Sequence, residues 1–146
     1  QKKKKIKSMQ INKFFYRILI PVFLFSIISC SEEDDVNPSD DRDVFIGTWN
    51  VSETCIRDSY SVEIVADPSN STQVLIKNFW LIGYQEKAPY AIVAGNSIII
   101  PKQYICNNNE NEVNGTGIFD KNKINLTYTV NDGADLYTCE AEYLKP

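Results

Sequence analysis

Residues 123–130 read KINLTYTV, and residues 135–144 read DLYTCEAEYL. In both segments apolar and polar residues alternate, so that Ile124, Leu126 and Tyr128 share one face in the first segment and Cys139 and Tyr143 share one face in the second. Successive side chains of a β-strand point to opposite faces. The two segments therefore predict a pair of strands with one face in a core and the other in solvent.

The same short alternating runs, separated by turn residues, continue back to residue 44, and no helical period of useful length appears. Gly95-Asn96 and Asp132-Gly133 supply the positive-φ positions of hairpin turns. Eight strands are predicted, at residues 44–54, 60–66, 73–80, 90–94, 97–105, 113–119, 123–130 and 135–144. Their short connections favour an all-β, antiparallel up-and-down meander closed into a barrel, since closure removes both exposed edges. A two-sheet β-sandwich of the same strands is the alternative.

Gly47-Thr48-Trp49, at the head of the first strand, resembles the Gly-x-Trp signature of lipocalin-like barrels. The resemblance covers residues 44–146. It implies an eight-stranded barrel in which Trp49 packs across the closed end and the glycine permits a tight entry. Lipocalins also carry an arginine over that tryptophan. Here Lys145 is the only basic residue at the last strand, so the chain departs from the pattern at that point.

Three cysteines, Cys55, Cys106 and Cys139, belong to the β domain. The first and last strands of a closed meander are neighbours, and Cys55 and Cys139 both have inward parity. We therefore expect a Cys55–Cys139 disulfide at the seam, with Cys106 free. Pairing of Cys106 with either of the others is the alternative. The cysteines lie on separate strands and not in C-x-x-C pairs, so no metal site is predicted.

Residues 18–29 form a twelve-residue apolar run preceded by Lys13 and Arg17. A membrane-spanning helix needs about 20 apolar residues, whereas a run of this length is typical of a signal peptide. A start at Met9 gives a 21-residue signal with Lys13 and Arg17 as its basic region, and we expect residues 1–8 to precede the true start. Residues 1–29 are thus predicted to be leader and lipoprotein signal peptide.

The run ends in Ile27-Ile28-Ser29-Cys30, which resembles the bacterial lipobox. The resemblance implies a diacylglycerol thioether on Cys30, cleavage before it and acylation, such as palmitate, of the new N-terminus. Ser31-Glu32-Glu33-Asp34-Asp35 follows, and is similar to the acidic export signal of surface-exposed Bacteroidetes lipoproteins. This implies an outer-membrane lipid anchor on the cell surface. A plain solvated tether is the other interpretation of the acidic run.

Residues 30–43 are predicted to be the lipidated cysteine and an acidic disordered tether, because the segment is too polar to offset its ordering entropy. From Cys30 onward, eight basic residues face nineteen acidic ones, a net charge of −11. So acidic a protein is not expected to bind nucleic acid. There is no histidine, the usual general base and metal ligand.

Aromatic residues cluster in the third to fifth predicted strands and the loop between them. Core packing explains most such residues. Trp80 and Tyr84, beside the Gly- and Pro-containing loop 81–89, suit a barrel mouth or a stacking surface, and Tyr90 and Tyr104 complete the predicted ligand-binding set.

The acidic residues of the domain, Glu53 among them, are placed mainly in turns or on outward faces, and no catalytic motif is found. We therefore predict a non-enzymatic, membrane-anchored binding module, without a cofactor, for a small apolar ligand, a glycan or a protein. The alternative is a structural lipoprotein that presents loops 81–89 and 106–112 to an envelope complex. A hydrolase based on a carboxylate pair is the remote alternative.

Overall fold

A computed structural model describes residues 40–146. The predicted signal peptide, the lipidation at Cys30 and tether residues 31–39 lie outside the described residues. Among the residues that are described, no helix has the length and apolar character needed to cross a membrane.

Eight antiparallel strands form a closed up-and-down barrel in which each strand pairs with its neighbours in sequence. The first strand also pairs with the last, so the sheet has no edge and the sandwich alternative is wrong. The strands are β1 (Gly47–Glu53), β2 (Tyr60–Ala66), β3 (Gln73–Lys77), β4 (Tyr90–Ala94), β5 (Ser97–Ile105), β6 (Asn111–Asp120), β7 (Lys123–Asn131) and β8 (Leu136–Leu144).

The seam between β1 and β8 is closed covalently as well as by hydrogen bonds. Glu53 is opposite Ala141 in the ladder, and just beyond this pair Cys55 and Cys139 form a disulfide with their Cα atoms 5.5 Å apart. The predicted pairing is confirmed, and Cys106 is a free, buried thiol. Because the bridge joins residues 84 positions apart, the chain-entropy model gives it an upper contribution of about 4–5 kcal/mol.

The inward faces of the strands fill the barrel, as the alternation predicted. Ile124, Leu126, Tyr128 and Val130 are each at most 2% exposed. Large inward side chains are accommodated by glycine on the neighbouring strand. A Cβ atom on Gly115 would lie 2.6 Å from the Cβ of Tyr128, so only glycine permits this approach of β6 to β7.

Trp49 closes one end of the barrel. Its Nε1 donates a 2.7 Å hydrogen bond to the carbonyl oxygen of Phe45, and its ring packs edge-on against Phe119. The ammonium of Lys145 lies 5.0 Å from the centroid of the Trp49 ring. Lys145 therefore supplies a cation over this tryptophan.

The first strand is shorter than predicted, because residues 41–44 form a 3-10 helix (Asp41–Val44) and not extended chain. Asp40 caps this helix, although it was assigned to the disordered tether. The guanidinium of Arg42 donates to both carboxylate oxygens of Asp40 and to the carbonyl oxygens of Asn70 and Gln73. These bonds tie the segment to the β2–β3 loop, so the ordered structure includes residues 40–43.

Two further boundaries differ from prediction by at least two residues, and the remaining ones by at most one. The third strand ends at Lys77, because Asn78 adopts a left-handed conformation and residues Phe79–Leu81 form a second 3-10 helix. The sixth strand is longer than predicted and begins at Asn111, so the loop before it spans only residues 106–110.

Candidate functional site

The end of the barrel opposite Trp49 carries the four loops 54–59, 78–89, 106–110 and 132–135, and we call this end the mouth. The other end carries the shorter connections 67–72, 95–96 and 121–122. The mouth is therefore the end at which loop residues can form a binding site.

Below the mouth, the interior of the barrel contains a carboxylate. Trp49 and Val51 are buried in β1, and Glu53 continues their inward parity two residues further on. The phenol of Tyr60 donates a 3.0 Å hydrogen bond to Oε1 of Glu53, and the phenol of Tyr128 donates to Oε2. Each oxygen of this carboxylate is thus held by a tyrosine from a different strand, β2 for Oε1 and β7 for Oε2.

A third phenol lies close by without a partner. Tyr143 on β8 is fully buried, and its hydroxyl has no hydrogen-bond partner among residues 40–146. It is near enough to Glu53 to interact with it electrostatically. A buried hydroxyl without a partner costs about 1–3 kcal/mol, and such groups are rare in native proteins. We call Glu53, Tyr60, Tyr128 and Tyr143 the mouth cluster.

Burial dominates the electrostatics of the mouth cluster. Desolvation raises the pKa of Glu53 above its ordinary value, against the hydrogen bonds from Tyr128 and Tyr60, which lower it. Desolvation also raises the pKa values of Tyr60, Tyr128 and Tyr143, and the nearby Glu53 adds to each rise. The phenols therefore remain protonated, and the charge of the cluster depends on Glu53 alone.

The second 3-10 helix, Phe79–Leu81, covers the cluster, and we call it the mouth turn. The ring of Phe79 is fully buried, with its centroid 4.7 Å from that of Tyr128. The ring of Trp80 lies 5.8 Å from that of Tyr137, and its indole Nε1 is buried without a hydrogen-bond partner. A second unpartnered donor is thus located at the mouth.

The backbone of the mouth turn is strained. Asn78, Trp80 and Leu81 have φ values of 60°, 52° and 58°, in the left-handed region that bulky residues rarely adopt. Asn78 holds the turn from one side, with its Nδ2 donating to the carbonyl oxygen of Ser61 and its Oδ1 accepting from the amide of Gly83. Strain of this kind is commonly found at ligand sites and switch segments.

The structure does not bring the four predicted ligand-binding residues into one cleft. Trp80 packs against the core at the mouth. Tyr84 is 45% exposed, and its hydroxyl donates to the carbonyl oxygen of Ser61. Tyr90 and Tyr104 alternate with buried residues and so lie on the outer face of the barrel. Tyr90, at the start of β4, and Tyr104, near the end of β5, are also at the mouth end but face outward, away from the mouth cluster.

The residues of the mouth cluster were not predicted as a site. Glu53 was placed among the solvent-facing acids, which is wrong, because burial and two phenol donors locate it on the inner face. Trp49, Val51 and Glu53 are alternate residues of one strand, and this spacing was the signal that places Glu53 on the inner face. Tyr128 and Tyr143 were predicted on the alternating faces of their strands, but their meeting with Glu53 and Tyr60 depends on the stagger of four strands.

The chemistry available at the mouth is recognition by hydrogen bonds and aromatic faces. The mouth cluster holds one carboxylate, whereas glycosidase chemistry needs two. Burial raises the pKa of the Cys106 thiol, which disfavours the nucleophilic thiolate. Within residues 40–146, no three His, Cys, Asp or Glu side chains are grouped so that they could hold a metal ion.

Depressions on the outer surface run along β6 and β7 and are lined by short side chains such as Thr116 and Thr127. They are open to solvent and contain no unpartnered buried donor. The mouth is therefore the better candidate site.

Comparison with known proteins gives no match: no family model, no curated protein and no solved structure is similar to this chain.

Proposed function

We propose that the chain is a lipid-anchored, non-enzymatic binding protein that takes a small ligand at the mouth cluster, beneath the mouth turn. The observation that carries the proposal is the fully buried hydroxyl of Tyr143, which has no partner beside the half-buried Glu53. A purely structural core gains nothing from such an arrangement, whereas a ligand that pairs with these groups offsets its cost.

The anchor part of the proposal comes from the sequence. The apolar run 18–29 and Cys30 suit a lipoprotein signal, and the acidic residues behind Cys30 suit export to the cell surface of the outer membrane.

The test uses the two tryptophans of the chain as reporters. The full chain carrying Cys30→Ser, labelled with ¹⁵N and held in detergent, is titrated with glucose, cyclohexanol, choline and 3,3-dimethylbutyrate. At least one of these probes is expected to shift the indole N–H signal of Trp80 in a saturable way. The signal of Trp49, whose N–H is bonded to Phe45, is the internal control. If no probe moves the Trp80 signal, the proposed site is wrong.

A protein partner is the second candidate function, because the mouth rim exposes apolar side chains. Leu81 and Leu136 are 52% and 69% exposed. A photo-crosslinking amino acid at position 136 is then expected to capture a protein on intact cells. The same residue at position 144, which is exposed at the opposite end of the barrel, is the control. Equal capture at both positions would argue against a specific partner at the mouth.

A further inference from the structure

We infer that the ligand of the mouth cluster is a small organic cation, whose ammonium group pairs with the carboxylate of Glu53 among aromatic rings. The inference rests on the proposed function and names the chemical class of its ligand.

The mouth cluster places a carboxylate inside the barrel. The four members of the mouth cluster are one carboxylic acid and three phenols, and none is a base. Each oxygen of Glu53 accepts one hydrogen bond from a tyrosine, which leaves lone pairs on both oxygens for a ligand. A half-buried carboxylate without a positive partner is costly, and a bound cation offsets that cost. An anion, such as a fatty acid, meets repulsion here.

Aromatic rings are concentrated at the mouth. Tyr60 and Tyr128 lie against the carboxylate, Phe79 packs on Tyr128, and Trp80 packs on Tyr137. The face of an aromatic ring attracts a cation, and more strongly when the pair is desolvated. Proteins recognise quaternary ammonium groups with aromatic rings, and Tyr60 and Tyr128 place two rings beside this acid.

The loops around the mouth carry a negative net charge. The four mouth loops contain five acidic residues and two basic ones. Of the two bases, Lys87 is engaged with the side-chain oxygen of Asn109. The negative surface raises the local concentration of cations and lowers that of anions. The acids are Asp58, Glu86, Glu110, Asp132 and Asp135.

Entry requires movement of the mouth turn, because the ring of Phe79 fills the space against Tyr128. The left-handed backbone at Trp80 and Leu81 is unfavourable for these bulky residues. Opening the turn releases this strain and withdraws the Phe79 ring from Tyr128. The exposed Leu81 side chain does not hold the turn closed.

The experiment compares choline with its neutral isostere, 3,3-dimethyl-1-butanol, by the Trp80 indole signal of the full chain carrying Cys30→Ser. Choline is expected to bind at least about tenfold more tightly than the isostere, in line with a desolvated cation–π and charge interaction. Glu53→Gln is expected to abolish this preference. Glu63→Gln, on the outer face of β2 and paired with Lys77, removes the same charge and is expected to keep the preference.

Two results overturn the inference. If the isostere binds as tightly as choline, the cation class is wrong while the proposed mouth site stands. If neither compound moves the Trp80 signal, the cation class is again wrong, and the glucose and cyclohexanol titrations decide whether the proposed function also fails. Because the choline comparison uses the unaltered barrel, it is decisive even if Glu53→Gln fails to fold.

Discussion

The hydroxyl of Tyr60 lies 3.0 Å from Oε1 of Glu53, inside a barrel whose other inward side chains are almost all apolar. Tyr128, on β7, donates to the other oxygen of the same carboxylate. Buried polar groups persist where they are fully bonded or where function needs them. Glu53 is bonded, but the neighbouring Tyr143 hydroxyl is not.

Glu53 is expected to make stability depend on pH in a defined direction. Burial raises its pKa in the folded state above the ordinary glutamate value of 4.5, so the folded protein binds this proton more tightly than the unfolded chain. The wild type therefore gains stability relative to Glu53→Gln as the pH falls towards 4.5, and loses it as the pH rises. The groups that face Glu53, namely Tyr60, Tyr128 and Tyr143, stay protonated throughout this range.

Urea unfolding of the wild type and Glu53→Gln at about pH 7 and about pH 4.5 measures this difference. Glu63→Gln controls for the change in net charge. A difference that is the same at both pH values, or that favours Glu53→Gln at the lower pH, would contradict the direction of the Glu53 pKa shift.

Loss of the disulfide is expected to destabilise the barrel strongly. The double variant Cys55→Ser/Cys139→Ser should lower the free energy of unfolding by up to about 4–5 kcal/mol, since the bridge constrains a long loop in the unfolded chain. Cys106→Ser, which removes a free thiol, is the matched control, and its effect should be much smaller. Equal losses in the two variants, measured by urea unfolding without reductant, would mean that the seam does not depend on the bridge.

The cation over Trp49 is expected to contribute modestly. Lys145→Met keeps an aliphatic chain of similar length but removes the ammonium from the Trp49 ring, at a cost of about 0.5–1 kcal/mol for an exposed pair. Lys121→Met, in the β6–β7 turn at the same end, removes an equal charge. Comparable unfolding free energies for the two variants would show that the Lys145 contact adds nothing.

Cys30 is expected to determine attachment to the membrane. In cells, Cys30→Ser should release the protein from the membrane fraction, and the wild-type mature chain should carry the added mass of a diacylglycerol and an acyl group. Fractionation followed by intact mass measurement checks both. A wild-type chain with unmodified Cys30 would remove the anchor from the proposed function.

Local sequence patterns predicted most of the fold, because strand parity and turn chemistry depend on neighbouring residues. The alternation in residues 123–130 and the Gly95-Asn96 turn are examples. The mouth turn and the Asp41–Val44 helix could not be predicted in this way. Both depend on partners that are distant in the sequence, Ser61 for Asn78 and Asn70 for Arg42, and that the folding of β1 to β3 brings near.

The same limit applies to the candidate site. Parity alone places Glu53 on the inner face of β1, yet a lone acid at a strand end gives no reason to expect phenol partners. Tyr60, Tyr128 and Tyr143 come from three other strands, and their meeting depends on the register and stagger of the closed sheet.

The substitution Tyr143→Phe tests most directly whether the mouth cluster is a ligand site. The variant is expected to be more stable than the wild type, by about 1–2 kcal/mol in urea unfolding, because it removes a buried hydroxyl that has no partner. It is also expected to respond less to choline. Tyr60→Phe, which deletes a bonded hydroxyl, should instead lose about 1 kcal/mol. If Tyr143→Phe is destabilised as much as Tyr60→Phe, the hydroxyl of Tyr143 belongs to the structural core and the account is wrong.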